Sequence, residues 1–302
     1  MTDIVIVNWN SGDYLSKCLK SVFSKLNEKL IGKVFVIDND SSDVSIKKID
    51  KHDKLVIIKN QENRGFSKAS NQGFKLCISH YVLLLNPDTQ ISDTTIQDCE
   101  SFMDAHQEID ILGCSLLDDN GNISLSCARF PTPIRFFYDA LGLSKIAPKI
   151  FKPALLMADW DHKTSRYVDQ VMGAFMFMRN SIFEKVGYFD ERFFVYCEEL
   201  DFSKRLAEHG GKSYFNSNIS ISHSGQGTTH SVKAFRLFLN LRSKLQYSQK
   251  HFRYGGYAVV WFSLCIIEPF TRIGFLLLKG NFKEIKETVE GYKLLIKNRS
   301  PR

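Results

Sequence analysis

Four short, unbroken apolar runs, Ile4 to Val7, Val34 to Ile37, Leu55 to Ile58 and Tyr81 to Leu85, punctuate the first third of the chain. Hydrophobicity that is continuous rather than alternating over four or five residues marks strands buried on both faces, as in parallel sheets covered by helices. Helical patterns over Tyr14 to Leu26 and Ser67 to Ile78 lie between them, each entered through a polar or glycine-containing turn. This alternation predicts an α/β, doubly wound beginning with a mostly parallel central sheet. Such a sheet places its ligand just beyond the carboxyl ends of the strands. The residues found there are Asn8-Trp9-Asn10 after Val7, Asp38 to Asp43, Asn60 to Gly65, and Asn86-Pro87-Asp88. Most are polar and several are acidic.

The glycines narrow the class of ligand. No Gly-x-Gly-x-x-Gly follows the first run and no Gly-x-x-x-x-Gly-Lys-Ser/Thr occurs anywhere, which argues against dinucleotide and P-loop sites. An aspartate after the second run could accept the N3 proton of uracil or thymine, and Asp88 could hold a divalent cation against a diphosphate. A nucleoside diphosphate fits that layout. Taken singly, Asp38 to Asp43 also reads as an Asx-rich turn, and Asn-Pro-Asp as an ordinary turn. The 302 residues, 44% of them hydrophobic and 24% charged, suffice for one large domain or two modest ones. Seven scattered cysteines without a Cys-x-x-Cys pair fit neither a disulfide framework nor a zinc knuckle, and suit a reducing compartment. The first strand pattern begins almost at once, so no secretion signal is expected.

Further along, Glu198, Glu199 and Asp201 crowd the start of a helical pattern, directly after an aromatic stretch. Like charges so close repel, which suggests negative charge held for acid-base chemistry. The alternative is a helix N-terminus whose positive end attracts carboxylates. Asp201 and Arg205, four residues apart, read as a structural pair on one helical face.

The ordered set of segments Val5 to Asn10, Asp38 to Asp43, Asn63-Arg64-Gly65-Phe66 with Asn71 and Gly73, and Leu85 to Thr89 continues in Gly173-Ala174, Val186 to Glu191, Phe193-Phe194, the carboxylate cluster, and His223 with Gly225 and Gly227. It resembles the inverting glycosyltransferases of family 2, which have the GT-A fold, and most of all their bacterial rhamnosyltransferase branch. The resemblance covers about residues 3 to 230. It implies a nucleotide-sugar site made by Val7, Asn8, Asn10, Asp38, Asn39, Ser41, Asn63, Arg64, Gly65, Asn71 and Asn86. Asp88 matches the last carboxylate of the family's Asp-x-Asp metal motif, whose first position is Asn86 here, and His223 matches a histidine that completes the metal or diphosphate site. A divalent metal, Mg2+ or Mn2+, is the implied cofactor. Glu199 stands where an aspartate usually serves as base, and Glu198 is its competitor. Gly173-Ala174 fits a close approach of backbone to sugar, or simply a packed strand.

The implied reaction is the transfer of a sugar, L-rhamnose from dTDP-rhamnose in the favoured reading, to a saccharide on a polyprenyl diphosphate during assembly of a surface polysaccharide such as O-antigen or capsule. Another family 2 transferase using UDP-galactose, UDP-glucose or UDP-GlcNAc is the alternative, and a noncatalytic carbohydrate-binding relative is a second. A nucleotidyltransferase lacks its Gly-rich basic loop here, and a processive synthase its Gln-x-x-Arg-Trp motif and several spans.

The expected division is a domain over 1–229, with a nucleotide-binding half to 115 and an acceptor and catalytic half from 116, followed by a helical membrane-associating extension over 230–302. Residues 130 to 166, broken by Pro131, Pro133, Pro148 and Pro153, read as a lid or acceptor-side insertion rather than core. From His230 on there are fourteen Lys or Arg against four Glu, +10 in a chain of +7, so the first 229 residues carry −3. A helical pattern over Val232 to Phe252 carries Lys233, Arg236, Arg242, Lys244 and Lys250, facing either solvent or a lipid diphosphate. Tyr257 to Leu278 is apolar but interrupted by Glu268, Pro269 and Arg272, which disfavours spanning. An interfacial helix against anionic lipid is expected, at the cytoplasmic face of the inner membrane, with a helix packed on the main domain as the other reading and no nucleic-acid partner.

Overall fold

The computed structural model describes residues 1–225 and 233–298. Gly227 and the rest of 226–232 therefore lie outside the described residues. Two compact units are each assembled from separate stretches of chain: 1–128, 161–191 and 198–225 in the first, and 129–160, 192–197 and 233–298 in the second.

The first unit begins β1 (Thr2–Asn8), α1 (Tyr14–Val22), α2 (Lys25–Glu28), β2 (Ile31–Asp38), β3 (Leu55–Lys59), α3 (Phe66–Phe74), β4 (Tyr81–Leu85), β5 (Thr89–Gln90), α4 (Thr95–Ala105), β6 (Ile111–Leu117), β7 (Ile123–Ser124) and β8 (Cys127–Ala128). The chain then contributes α5 (Pro133–Ala140) and α6 (Leu143–Ile146) to the second unit. It returns with β9 (Arg166–Val168), β10 (Gln170–Val171), β11 (Phe175–Arg179), α7 (Ile182–Val186), α8 (Glu198–Glu208) and β12 (Ser213–His223).

The main sheet has the order β3-β2-β1-β4-β11-β6-β12-β5, with β7 and β9 added at its sides. β1 to β4 run parallel, as do β6 and β12, while β11 is antiparallel to both its neighbours. β1 and β4 are buried along their whole length, and their residues Ile4, Ile6, Leu83 and Leu85 join Phe175, Phe177 and Ile221 in one apolar core. Burial of a side chain of this size contributes about 1.5–3 kcal/mol.

Three sequence expectations change here. Leu55 to Ile58 is not buried on both faces: β3 is an edge strand of the sheet, with Val56 and Ile57 exposed. The helix expected to reach Ile78 stops at Phe74, because the Asp3 carboxylate accepts the backbone N–H groups of Ile78 (2.8 Å) and Ser79 (2.9 Å) and bends the chain there. The helix expected to reach Leu26 ends at Val22, and Ser24 is extended before the short α2.

In the second unit, α9 (Lys233–His251), α10 (Tyr254–Phe262), α11 (Glu268–Leu278) and α12 (Phe282–Lys297) pack with α5. Residues 130 to 160 were expected outside any core, yet Phe136 and Ala154 are buried among Phe238, Leu241, Val260 and Leu264. Of the prolines, Pro133 occupies the first turn of α5, while Pro131, Pro148 and Pro153 lie in turns or irregular backbone. A π turn over Ser263–Ile267 joins α10 to α11. Pro269 explains it, because proline lacks an N–H and its ring clashes with the carbonyl four residues back, at Cys265.

Candidate active site

Parallel register brings the polar strand ends together: Asn8 is opposite Asp38, and Asp38 is opposite Lys59. Asn8 is fully buried, and its amide donates to Asp38 Oδ1 (2.8 Å), Ser41 Oγ (3.0 Å) and Ser45 Oγ (2.9 Å), while Ser11 donates to its carbonyl oxygen. Asn39 joins the next two loops. Its amide donates to Asn63 Oδ1 (2.8 Å) and the Gly65 carbonyl (3.2 Å), and its oxygen accepts from Arg64 N (3.0 Å) and Asn60 Nδ2 (3.1 Å). Asn10, with φ 51°, accepts Ser42 N at 2.7 Å and donates its own N–H to Ser41 Oγ at 2.9 Å. Thus Asn8, Asn10, Asn39, Asn63 and Gly65 shape the loops and Val7 is buried in β1 opposite Ile37, whereas Asp38 and the half-exposed Arg64 offer charged groups at the same sheet end. Asn60, one of the strand-end residues named from the sequence, belongs to this network, as does Ser45, which was missed because an isolated serine carries no signal.

Asn71 is only 2% exposed, and its side chain brackets a distant segment by donating to the Phe189 carbonyl (2.9 Å) and Glu191 Oε1 (3.1 Å) and accepting Phe189 N (3.0 Å). These bonds engage its side-chain amide within the fold and hold residues 189–191 against α3.

Asn86 to Thr89 forms a tight turn after β4, with Thr89 Oγ1 donating to the Asn86 carbonyl at 2.6 Å. Thr89 pairs with His223, and Ser224 N donates to the Asp88 carbonyl at 3.1 Å. The end of β12 thereby places His223 Nε2 3.5 Å from Asp88 Oδ1. Among the described residues no group of three or more His, Cys, Asp or Glu side chains gathers as a metal cage. One carboxylate and one imidazole at this separation nevertheless suit a hard divalent cation that takes its remaining ligands from water and phosphate.

The carboxylate pair opens α8. Phe202 anchors the helix, its ring 5.4 Å from Phe189 and 5.8 Å from Phe183, and Asp201 meets Arg205 Nε at 2.9 Å. Arg205 also donates to the carbonyls of Val186 and Tyr188, so the Asp201–Arg205 pair is structural, as its spacing suggests. Glu198 is 2% exposed and its Oε2 has no hydrogen-bond partner. Burial first, and the neighbouring Glu199 charge second, push its carboxyl well above the usual range. Glu199 is also raised by burial, but backbone N–H groups, including that of Gly173, and the Glu198 carboxyl oppose the rise. Burial thus moves both carboxyls toward the protonated form, with Glu198 pushed the further and Glu199 restrained by the Gly173 N–H. Gly173 approaches Glu199 itself, since a Cβ there would lie 3.3 Å from Glu199 Oε1.

The Asn86–Thr89 turn and Glu199 are linked through the approach to β11. Asn86 N donates to the Ala174 carbonyl at 3.0 Å, Leu85 pairs with Phe175, and Gly173, one residue back, supports Glu199. Asn86, Asp88, His223 and Glu199 thus cluster around the meeting of β4 and β11.

The profile described as Glycosyl transferase family 2 matches residues 3–163, more than half of the chain, and the chain belongs to that family. It is similar to the low-salt glycan biosynthesis hexosyltransferase Agl10 of Haloferax volcanii, 24% identical across 98% of this chain and 91% of that one. It is also similar to the N-acetylglucosaminyl-diphospho-decaprenol L-rhamnosyltransferase of Mycobacterium tuberculosis, 24% identical across 74% of this chain and 76% of that one. Among solved structures, the mannosyltransferase PcManGT from Pyrobaculum calidifontis, in complex with GDP-Man and Mn2+, superposes with a TM-score of 0.57 at 12% identity, covering 98% of this chain and 86% of that one. The GT-A fold of the chain is established, and the protein is a glycosyltransferase.

Proposed function

We propose that the protein transfers a sugar with inversion, L-rhamnose from dTDP-rhamnose in the favoured reading, to a saccharide on a polyprenyl diphosphate. The observation that carries this reading is the link from Asn86 through Ala174 and Gly173 to Glu199, which seats a carboxylate base beside the turn bearing Asp88. Glu199 takes the proton of an acceptor hydroxyl, whose oxygen attacks the anomeric carbon from the face opposite the nucleoside diphosphate. Glu198, protonated and sealed, keeps the pair to one charge and directs it to Glu199. Asp38 meets the base of the nucleotide, and Arg64 faces its diphosphate. Asp88 and His223 would hold Mg2+ or Mn2+, which supplies positive charge to the departing diphosphate.

Asp38 would accept the N3 proton of thymine and uracil alike, so the base alone does not separate dTDP- from UDP-sugars. The choice of rhamnose and of a lipid-linked acceptor is supported by the name of the mycobacterial relative. The cytoplasmic face of the inner membrane is the working place this acceptor implies. The exposed apolar residues of α11, Phe270, Phe275 and Leu278, next to Lys279 and Lys283, support contact with an anionic bilayer surface. Glu199→Gln tests the base: it is expected to retain donor binding and lower turnover by about a hundredfold or more. Unchanged turnover would reject the assignment. A panel of dTDP-, UDP- and GDP-sugars, scored by the nucleotide released, identifies the donor.

A further inference from the structure

The second unit holds a cavity of about 420 Å³ that the reaction scheme leaves unused. It lies among α9, α11 and α12 and is lined by Lys233, Arg236, Asn240, Arg272, Glu284 and Glu287, with Tyr196 at its wall. Some of these charges satisfy one another: Lys233 meets Glu284 at 2.9 Å, and Arg272 meets Glu268 at 2.5 Å. Others do not. Among the described residues neither Arg236 nor Glu287 forms a close ion pair, although the Glu287 charge acts on Lys233 at longer range, and Glu287 Oε2 is buried without a hydrogen bond. The Asn240 amide on α9 sits one turn from Arg236.

A buried carboxylate oxygen without a donor is costly, and an unpaired guanidinium facing the same space supplies five donors without filling the gap. A phosphate would satisfy Arg236 and be repelled by Glu287. An amine would do the reverse. A polyhydroxylated neutral ligand satisfies both, because each hydroxyl donates to carboxylate and accepts from guanidinium or amide. The volume falls in the range of small-molecule sites, and an aromatic wall with a few convergent polar groups suits the apolar face of a pyranose. The chain adds a second link: Tyr196 (φ 70°) and Cys197 (φ 68°), both left-handed, lead directly into Glu198 and Glu199.

We propose that this cavity is a saccharide subsite that takes a sugar of the acceptor; the acceptor role rests on the transferase reading above, whereas the sugar chemistry rests on the cavity alone. The test is direct binding, by calorimetry on the full chain without donor. The probes are short-chain prenyl diphosphates capped with GlcNAc, GalNAc, glucose or galactose, alongside the uncapped prenyl diphosphate. At least one capped probe is expected to bind tenfold or more tightly than the uncapped one. Arg236→Met and Glu287→Gln are each expected to remove that difference, and Asn240→Ala to reduce it, with thermal melting used to confirm folding. Equal binding of capped and uncapped probes would overturn the subsite in favour of an anion site, and variants that bind as the native chain does would overturn it outright. Glu199→Gln separates the two readings: it abolishes turnover if the transferase scheme holds, while sugar-dependent binding stays.

Discussion

Glu198 and Glu199 are neighbours in sequence, yet one is sealed with an unpartnered oxygen and the other receives the N–H of Gly173. The consequences for pH are opposite in kind. A carboxyl raised above its unfolded value, near 4.3, binds a proton in the native state that the unfolded chain has released, so stability falls as pH rises beyond that value. Glu198→Gln is expected to flatten this fall, and melting curves from acidic to alkaline pH should show native and variant diverging as pH rises; parallel curves would contradict a protonated Glu198. Activity needs Glu199 ionised, so the acid limb of the pH–rate profile is expected above the ordinary carboxylate range. At the metal turn, Asp88→Asn is expected to weaken nucleotide binding in the presence of Mn2+ and to leave metal-free binding unchanged, as read by calorimetry.

At the scale of elements, Phe202, Asp201 and Arg205 fix the place of α8, whose first turn holds Glu198 and Glu199. Arg205→Met leaves the fully buried Asp201 without its ion-pair partner and is expected to cost on the order of 3 kcal/mol, measurable by denaturant unfolding. Much of this architecture is legible in sequence. Continuous apolar runs identify β1, β2 and β4, and the polar residues that follow them do meet at one sheet end. The edge position of β3 is not legible, because burial of a strand depends on which neighbours the topology supplies. Nor is the inward role of Asn8 and Asn71, since a side-chain amide looks the same whether it serves a ligand or a loop; only the list of its hydrogen-bond partners decides. Gly173 was visible as a close approach, but its partner, Glu199, lies twenty-six residues on. Arg236 stood out only as one charge on a helical pattern and Glu287 not at all, with nothing to mark a shared cavity.

For the whole molecule, the segment Tyr254–Leu278 is long and apolar enough to cross a membrane by length and composition. One side is tied to protein, with Val260, Leu264 and Leu276 buried and Thr271 Oγ1 donating to the Ala140 carbonyl at 2.6 Å. The other is exposed, Phe270 by 75% and Leu278 by 90%. A segment pinned in this way favours lying at an interface over spanning. Phe270→Ser together with Leu278→Ser is expected to lower sedimentation with anionic vesicles about tenfold or more, since each side chain contributes roughly 1.5–3 kcal/mol when buried. Added salt should weaken the binding that remains. Undiminished binding of the double variant would place the contact elsewhere. The interleaving of the two units in sequence also governs how the molecule comes into being: a ribosome adds Phe136 102 residues and Ala154 84 residues before Phe238, the first of the pair Phe238 and Leu241 that cover them. Until translation nears its end those greasy side chains stay naked, so a chain shortened at its tail emerges as a holdase client instead of a smaller enzyme.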